Sequence, residues 1–278
     1  MGNFEGTLNT AITDKQFEEI STLVKSIAGI NLHEGKKELV KARLAKRTRQ
    51  LKLNDLQQYI RYVKSDNTGR EIVQMLDALS TNLTYFFRES QHFDYLCNVF
   101  LPRLQASGKR KLRIWSAGCS SGEEPYSIAM LLREHLPVGA GWDVKILATD
   151  LSTKVLNIAS TGEYSQERFR DTPRHLVAKY FNKMPSRDRA TYKASPEIRN
   201  MISFARLNLM EDWPMKGPMD IIFCRNVMIY FDKQIQAKLL ERYYRLLGPG
   251  GMLFLGHSES LTGSGHKFKY CQPATYMK

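Results

Sequence analysis

The sequence predicts an α/β fold: a mostly parallel, seven-stranded sheet with an antiparallel edge, preceded by a small all-helical domain and interrupted by a small inserted β-subdomain. Strand-like and helix-like segments alternate after residue 110, the pattern of a parallel sheet covered by helices. Residues 1–80 instead carry helical periodicity alone. Between the two regimes, the stretch Lys111 to Ser127 (KLRIWSAGCSSGEEPYS) reads as a strand, a glycine turn and a helix start.

Residues 1 to about 10 are polar and contain glycine, so a frayed start is expected. From Thr13, Phe17, Ile20, Leu23, Val24 and Ile27 recur at helical spacing, with Thr13 and Gln16 forming a capping box and Gly29 a stop. Further helices are expected over 35–51, 54–65 and 68–79. The string STNLTYFFRES (Ser80 to Ser90) breaks the period and reads as a connector that packs against something. A helix over 91–107 then leads to strands near Leu112, Val144, Ile202, Asp220 and Gly251, with helices at 123–135, 153–160 and 233–247 between them. The tail, KFKYCQPATYMK, reads as two short strands around Gln272 and Pro273 that close the sheet with an antiparallel edge. Residues 162–200 are rich in Arg and Lys, contain Pro173, Pro185 and Pro196, and are too long for a simple loop. Helices plus an inserted element at about 182–200 are expected there. The organisation is thus 1–80 helical, 81–90 connector, and 91–278 α/β.

A chain of 278 residues has room for one large domain and a small one. It contains no apolar stretch near the roughly 18 residues of a membrane span, and no basic-then-apolar leader. A cytoplasmic protein without membrane insertion is expected. Cys97, Cys119, Cys224 and Cys271 are scattered without a C-x-x-C pair, so neither a zinc knuckle nor a disulfide scaffold is indicated. The net charge of +13 points to an acidic partner: nucleic acid, a membrane surface or an acidic protein face.

The glycine turn carries the chemistry. Gly118 and Gly122 let a ligand approach the backbone, and Pro125 suits the first helical turn. The next strand delivers Asp150 to its carboxyl end, where an acidic residue reaches ribose hydroxyls in open α/β sheets. Two readings follow, a dinucleotide site or an S-adenosylmethionine site. A pyrophosphate turn needs G-x-G-x-x-G and no negative charge nearby, whereas here Glu123 and Glu124 open the helix. Asp150 also lies 28 residues after Gly122, against roughly 20 in the dinucleotide fingerprint. A sulfonium has no phosphate and suits carboxylate neighbours, so the set favours a methyl donor.

Other residues refine this reading. MDIIFCRNVMIYF (Met219 to Phe231) is a buried strand running out into Arg225, Asn226 and Tyr230; it lacks the proline turn of enzymes that methylate nitrogen. Arg88, beside a cationic sulfonium, calls for an anionic substrate between them. In the run from Lys36 to Lys52, eight cationic residues face one acid, Glu38, and Arg43, Lys46 and Arg47 share a helix face. That face is either solvated or a docking surface. His257, with Ser258 and Glu259, follows the fifth strand and either lines the site or caps the strand.

Together STNLTYFFRE, SAGCSSGEEPYSIAM, ATDLS, RNVMIYF and GHSES resemble the CheR-type chemotaxis receptor methyltransferases, in the family's order and over nearly the whole chain. The resemblance implies transfer of a methyl group from S-adenosylmethionine to glutamate side chains on the cytoplasmic helical domain of bacterial chemoreceptors. It implies S-adenosylhomocysteine as product and no metal. Carried over by motif, cofactor contacts fall on Asn82, Thr84, Arg88, Glu123, Asp150, Asn208, Leu209, Asn226 and Val227, and Arg88 and Tyr230 stand beside the transferred methyl. Arg43, Lys46, Arg47 and Arg49 become the receptor-docking residues. The insertion corresponds to a β-subdomain that in some members grips a receptor carboxyl-terminal peptide, although NKMPSRDRATYKASPEIRN lacks the glycines of peptide-binding members. The rival readings are a nucleic-acid methyltransferase, with the basic helix following phosphates, and a non-catalytic sensor of S-adenosylmethionine.

Overall fold

The computed structural model describes residues 12–137, 139–185, 190–261 and 265–278. The expected frayed start and residues 186–189 of the expected insertion lie outside the described residues. The chain divides into two compact units, Met1–Thr81 with Tyr230–Asp232, and Asn82–Ile229 with Lys233–Lys278.

The first unit is helical. In α1 (Asp14–Ala28) the Thr13 hydroxyl accepts the Gln16 N–H while the Gln16 side chain accepts the Thr13 N–H, and Gly29 ends the helix at φ +72°. Its buried face is Phe17, Ile20, Val24 and Ala28. Along α2 (Lys37–Gln50) only Val40, Leu44 and Thr48 are buried, one narrow stripe on an otherwise polar helix. Next come α3 (Leu56–Ser65), capped by the Asp55 carboxylate, and α4 (Arg70–Leu79). The segment Tyr230–Asp232 belongs here: Phe231 bridges antiparallel to Ile30, and the Asn31 N–H donates to the Tyr230 carbonyl at 2.8 Å.

The second unit opens with α5 (Gln91–Tyr95) and α6 (Leu101–Ala106), separated by a π-helical turn over Leu96–Phe100. Sequence periodicity predicts one regular helix there. The departure sits just ahead of Pro102, which has no N–H for the ladder; the Leu101 N–H instead reaches back five residues to the Leu96 carbonyl. Then follow β1 (Lys111–Ala117), α7 (Glu123–His135), β2 (Asp143–Asp150), α8 (Thr153–Thr161), β3 (Glu163–Ser165), α9 (Arg174–Tyr180), β4 (Phe181–Met184), β5 (Thr191–Ala194), α10 (Pro196–Arg199), β6 (Ile202–Arg206), β7 (Met219–Cys224), α11 (Lys233–Leu246), β8 (Leu247–Leu255), β9 (Lys269–Gln272) and β10 (Thr275–Met277).

The main sheet has seven strands in the order β6-β2-β1-β7-β8-β10-β9. The first five are mutually parallel, and β10 and β9 form the antiparallel edge. The strand order reverses between β1 and β7, so the carboxyl ends of β1, β2 and β7 meet at the switch point where α/β sheets bind ligands. Leu112, Ile114, Ile146, Ile221, Phe223 and Phe254 are buried with Ile128, Ala129 and Leu132 of α7, which fixes the sheet against its helices. A second, three-stranded antiparallel sheet, β3-β5-β4, draws β3 from ahead of the expected insertion. Three residues, Glu163 to Ser165, carry too little alternation to announce a strand; pairing with Thr191 to Lys193 makes one.

Candidate active site

The turn after β1 is shaped by close approach. Gly118 has φ +96°, and a Cβ there would overlap Cγ2 of Val227, so glycine lets the turn lie against the exit of β7. The Gly118 and Cys119 N–H groups both donate to the Thr149 carbonyl, at 2.8 and 2.9 Å. The Ser120 N–H donates to Asp150 Oδ2 at 2.8 Å. These donors are thereby engaged by the end of β2, and the turn offers a carboxylate where a pyrophosphate would need free N–H groups.

From Asp150 the network extends both ways. Its Oδ1 accepts the Ser152 N–H at 2.9 Å, and its carbonyl accepts the Leu207 N–H at 3.0 Å, which sets the buried Asn208 and Leu209 beyond the end of β6. The Ser120 hydroxyl donates to the Asn82 carbonyl at 2.9 Å and so ties the connector to the turn. Asn82 and Asp150 are thus linked through Ser120, and Asp150 to the segment carrying Asn208 and Leu209 through its carbonyl, with Val227 close against Gly118. Thr84 is buried in the connector.

Arg88 donates from Nη1 to the Leu83 carbonyl at 2.8 Å and lies 5.9 Å from the centre of the Tyr85 ring. Its own carbonyl accepts from Nη2 of Arg225. Arg225, whose side chain is 3% exposed, also meets Glu89 Oε2 and Glu124 Oε2, each at 3.1 Å. One buried guanidinium therefore joins the connector, α7 and the exit of β7. Burial raises the Glu89 carboxyl and the Arg225 charge lowers it, for a net downward shift; in Glu124 burial prevails over the same guanidinium and the shift is upward.

The paired glutamates at the start of α7 part company. Glu124 accepts from the Ser116 hydroxyl at 2.6 Å and reaches Arg225. Glu123 is fully buried, accepts from Ser121 at 2.7 Å and pairs with Arg168 at 3.0 Å. Glu123, expected on the cofactor, thus pairs with the exposed Arg168, and Glu124 is the carboxylate that shares a cation with the connector.

Glu259 is a clamp. Its Oε2 accepts the N–H groups of Gly256 and Asn226 at 2.6 and 2.9 Å, and its Oε1 that of Ile229 at 3.1 Å. Burial pushes its carboxyl up, against the pull of those N–H groups. Asn226, with φ +58°, sends its side-chain amide to Glu89 Oε1 at 3.3 Å. His92 is fully buried 3.6 Å from Glu89, its ring 5.1 Å from that of the exposed His257. Burial, with Arg225 nearby, lowers the His92 pKa to about 3. Phe87, Glu89, Ser120 and Asn226 all hold positive φ without being glycine, a concentration of strained backbone that marks functional regions. Cys119 is buried with its thiol pushed up by burial, as a filler residue would be.

The remaining expected residues lie in the helical unit. Tyr230 stands there with Lys36 Nζ 4.9 Å from its ring centre. Arg47 grips Glu71 through two bonds of 2.7 and 2.6 Å, and Arg43 donates to the carbonyls of Leu79 and Ser80 at 2.7 and 2.9 Å. Both are spent on internal contacts, whereas Lys46 and Arg49 are exposed.

A parallel sheet whose switch point carries a glycine turn, an occupied set of turn N–H groups, Asp150 and two further carboxylates fits a ligand that is cationic and ribosylated. The residues suit S-adenosylmethionine, and the class is a S-adenosylmethionine-dependent methyltransferase with an all-α domain ahead of it. The comparisons agree and narrow it: residues 82–277 match the CheR methyltransferase SAM binding domain and residues 15–80 the CheR methyltransferase all-alpha domain. The chain is 40% identical over 277 residues to a chemotaxis protein methyltransferase of Borreliella burgdorferi, covering 98% of this chain and 96% of that one. It is 39% identical to the chemotaxis protein methyltransferase of Escherichia coli, covering 94% and 90%. The chain belongs to the CheR methyltransferase family. Among the described residues, no helix is long and apolar enough to cross a membrane.

Proposed function

We propose that the protein methylates glutamate carboxylates on the cytoplasmic helices of chemoreceptors, giving γ-methyl esters. The observation that supports it most is Arg88, carried to a carboxylate-lined sheet edge by a connector that Arg225 and Ser120 hold in place. When bound, S-adenosylmethionine supplies a methyl group on a cationic sulfur. A glutamate acceptor with a pKa of about 4.3 is already a nucleophile at neutral pH, so the site needs no general base. The work of the protein is alignment, which can lower a barrier by roughly 7–11 kcal/mol. Asp150 and Asn208 take the nucleoside end; Glu123, with Glu124 beside it, serves the cationic end; Asn82, Thr84, Asn226, Val227 and Leu209 complete the walls. Arg88 holds one oxygen of the acceptor carboxylate and Tyr230 donates a hydrogen bond to it.

Docking of the helical unit falls to Lys46 and Arg49, the exposed cations of α2, against the acidic face that carries the target glutamates. A receptor carboxyl-terminal peptide would extend an edge of the β3-β5-β4 sheet as an added strand. The decisive experiment is transfer of radiolabelled methyl to receptor-rich membranes, followed by mild base. Volatile methanol is the expected product; base-stable label in RNA or DNA would instead establish the nucleic-acid reading, and no transfer despite S-adenosylhomocysteine binding the sensor reading. In the same assay Arg88→Ala should lower turnover by at least about tenfold.

A further inference from the structure

The connector places its side chains the wrong way round for a segment that merely packs. Between Asn82 and Phe86 the chain alternates, with Thr84 and Phe86 buried while Leu83 is 75% exposed and Tyr85 42% exposed. A leucine and a tyrosine turned outward beside a buried threonine invert the usual distribution, and a contiguous exposed apolar pair of this kind marks an interaction site. Fraying is not the cause. The Asn82 carbonyl is held by Ser120, the Phe87 N–H donates to the Ser127 hydroxyl at 3.0 Å, and the Arg88 carbonyl is held by Arg225. The outward face is fixed from beneath along its length.

Arg88 shares that face, bonded to the Leu83 carbonyl and lying over the Tyr85 ring. A matching partner must present an anion flanked by apolar side chains. A helix does this when a small or apolar residue stands three or four positions from a glutamate, since such neighbours lie about 5–6 Å apart on one face. We infer that Leu83 and Tyr85 form an apolar shelf that seats the acceptor helix one turn from the glutamate held by Arg88, making them determinants of which glutamates are modified. The inference rests on the proposed acceptor and adds the sequence context that it must have.

The test uses the full chain with receptor-containing membranes. Leu83→Ser and Tyr85→Ser should each raise the KM for receptor by about tenfold, the effect of losing one well-buried apolar contact. Leu83→Met should stay close to the parent, and calorimetric affinity for S-adenosylhomocysteine should be unchanged in all of them. An unaltered receptor KM in both serine variants overturns the shelf, as does a fall in S-adenosylhomocysteine affinity, which would assign these side chains to the cofactor. A parent protein that methylates no receptor overturns the proposed function itself, a separate outcome.

Discussion

Arg225 illustrates how much one buried charge can organise. Two carboxylates and a main-chain oxygen converge on it, and among the described residues neither carboxylate has another cation as close. Arg225→Met would leave Glu89 and Glu124 facing each other with only Arg88, 4.0 Å from Glu89, as a cation nearby, a change expected to cost about 3–5 kcal/mol. Urea unfolding measures this directly; a loss below about 1 kcal/mol would mean that solvent already screens the pair. His92 carries a second prediction. Its folded pKa of about 3 lies below the ordinary 6.5 because burial, and Arg225 behind it, disfavour the imidazolium. The unfolded chain therefore binds the extra proton first as pH falls, so stability present above pH 6.5 is lost progressively toward pH 3, with a slope of up to about 1.4 kcal/mol per pH unit. Glu89, Arg225 and His257 are the charged or titratable groups around it, and His92→Gln should flatten the acid limb of the stability curve. An identical limb in parent and variant would place the sensitivity in the carboxylates instead.

At the scale of elements, α2 separates what spacing reveals from what it hides. The sequence marks Arg43, Lys46 and Arg47 as one basic face, and that placement is geometric. Whether each cation is free depends on partners far along the chain: Glu71 for Arg47, and the carbonyls that end α4 for Arg43. No local pattern encodes those partners. The two glutamates of α7 pose the same problem at shorter range, because adjacent helical residues point about 100° apart and only the folded surroundings decide which meets Arg225. Element identities were legible for a converse reason, since a cap such as Thr13, closed by Gln16 three residues on, acts through near neighbours. Tyr230 escaped sequence reading in one respect: its backbone is held by the helical unit, through Asn31, although the chain up to Ile229 and from Lys233 belongs to the other unit. For α2 the consequence is testable. Arg47→Glu would set two carboxylates together around Glu71 and should destabilise the helical unit by about 3–5 kcal/mol. Lys46→Glu and Arg49→Glu should change stability by less than about 0.5 kcal/mol and raise the KM for receptor. Equal effects of all three on stability would show that Arg47 is no more integral than its neighbours.

For the whole molecule the governing quantity is charge: 41 Lys and Arg against 28 Asp and Glu, a net of +13. The sheet edge that would face the methyl donor runs against this average: Glu89 and Glu124 meet at Arg225, Asp150 holds the turn after β1, and Glu259 holds the exit of β7. The positive excess therefore resides elsewhere, where under the proposed function it would steer an acidic partner, while local carboxylates favour a cationic donor. The two effects respond differently to salt. Exposed charges are screened over about 8 Å at physiological ionic strength, buried pairs much less, so kcat/KM for receptor should fall steeply between 50 and 300 mM NaCl, values chosen to bracket a Debye length of about 14 to 6 Å. Affinity for S-adenosylhomocysteine should change little over the same range. Combining Lys46→Glu with Arg49→Glu should flatten the salt dependence of kcat/KM by removing the exposed cations of α2, leaving the turnover number at saturating receptor near that of the parent. A double variant that keeps the parent's salt slope would move the docking surface off α2, to one of the other basic stretches of the chain.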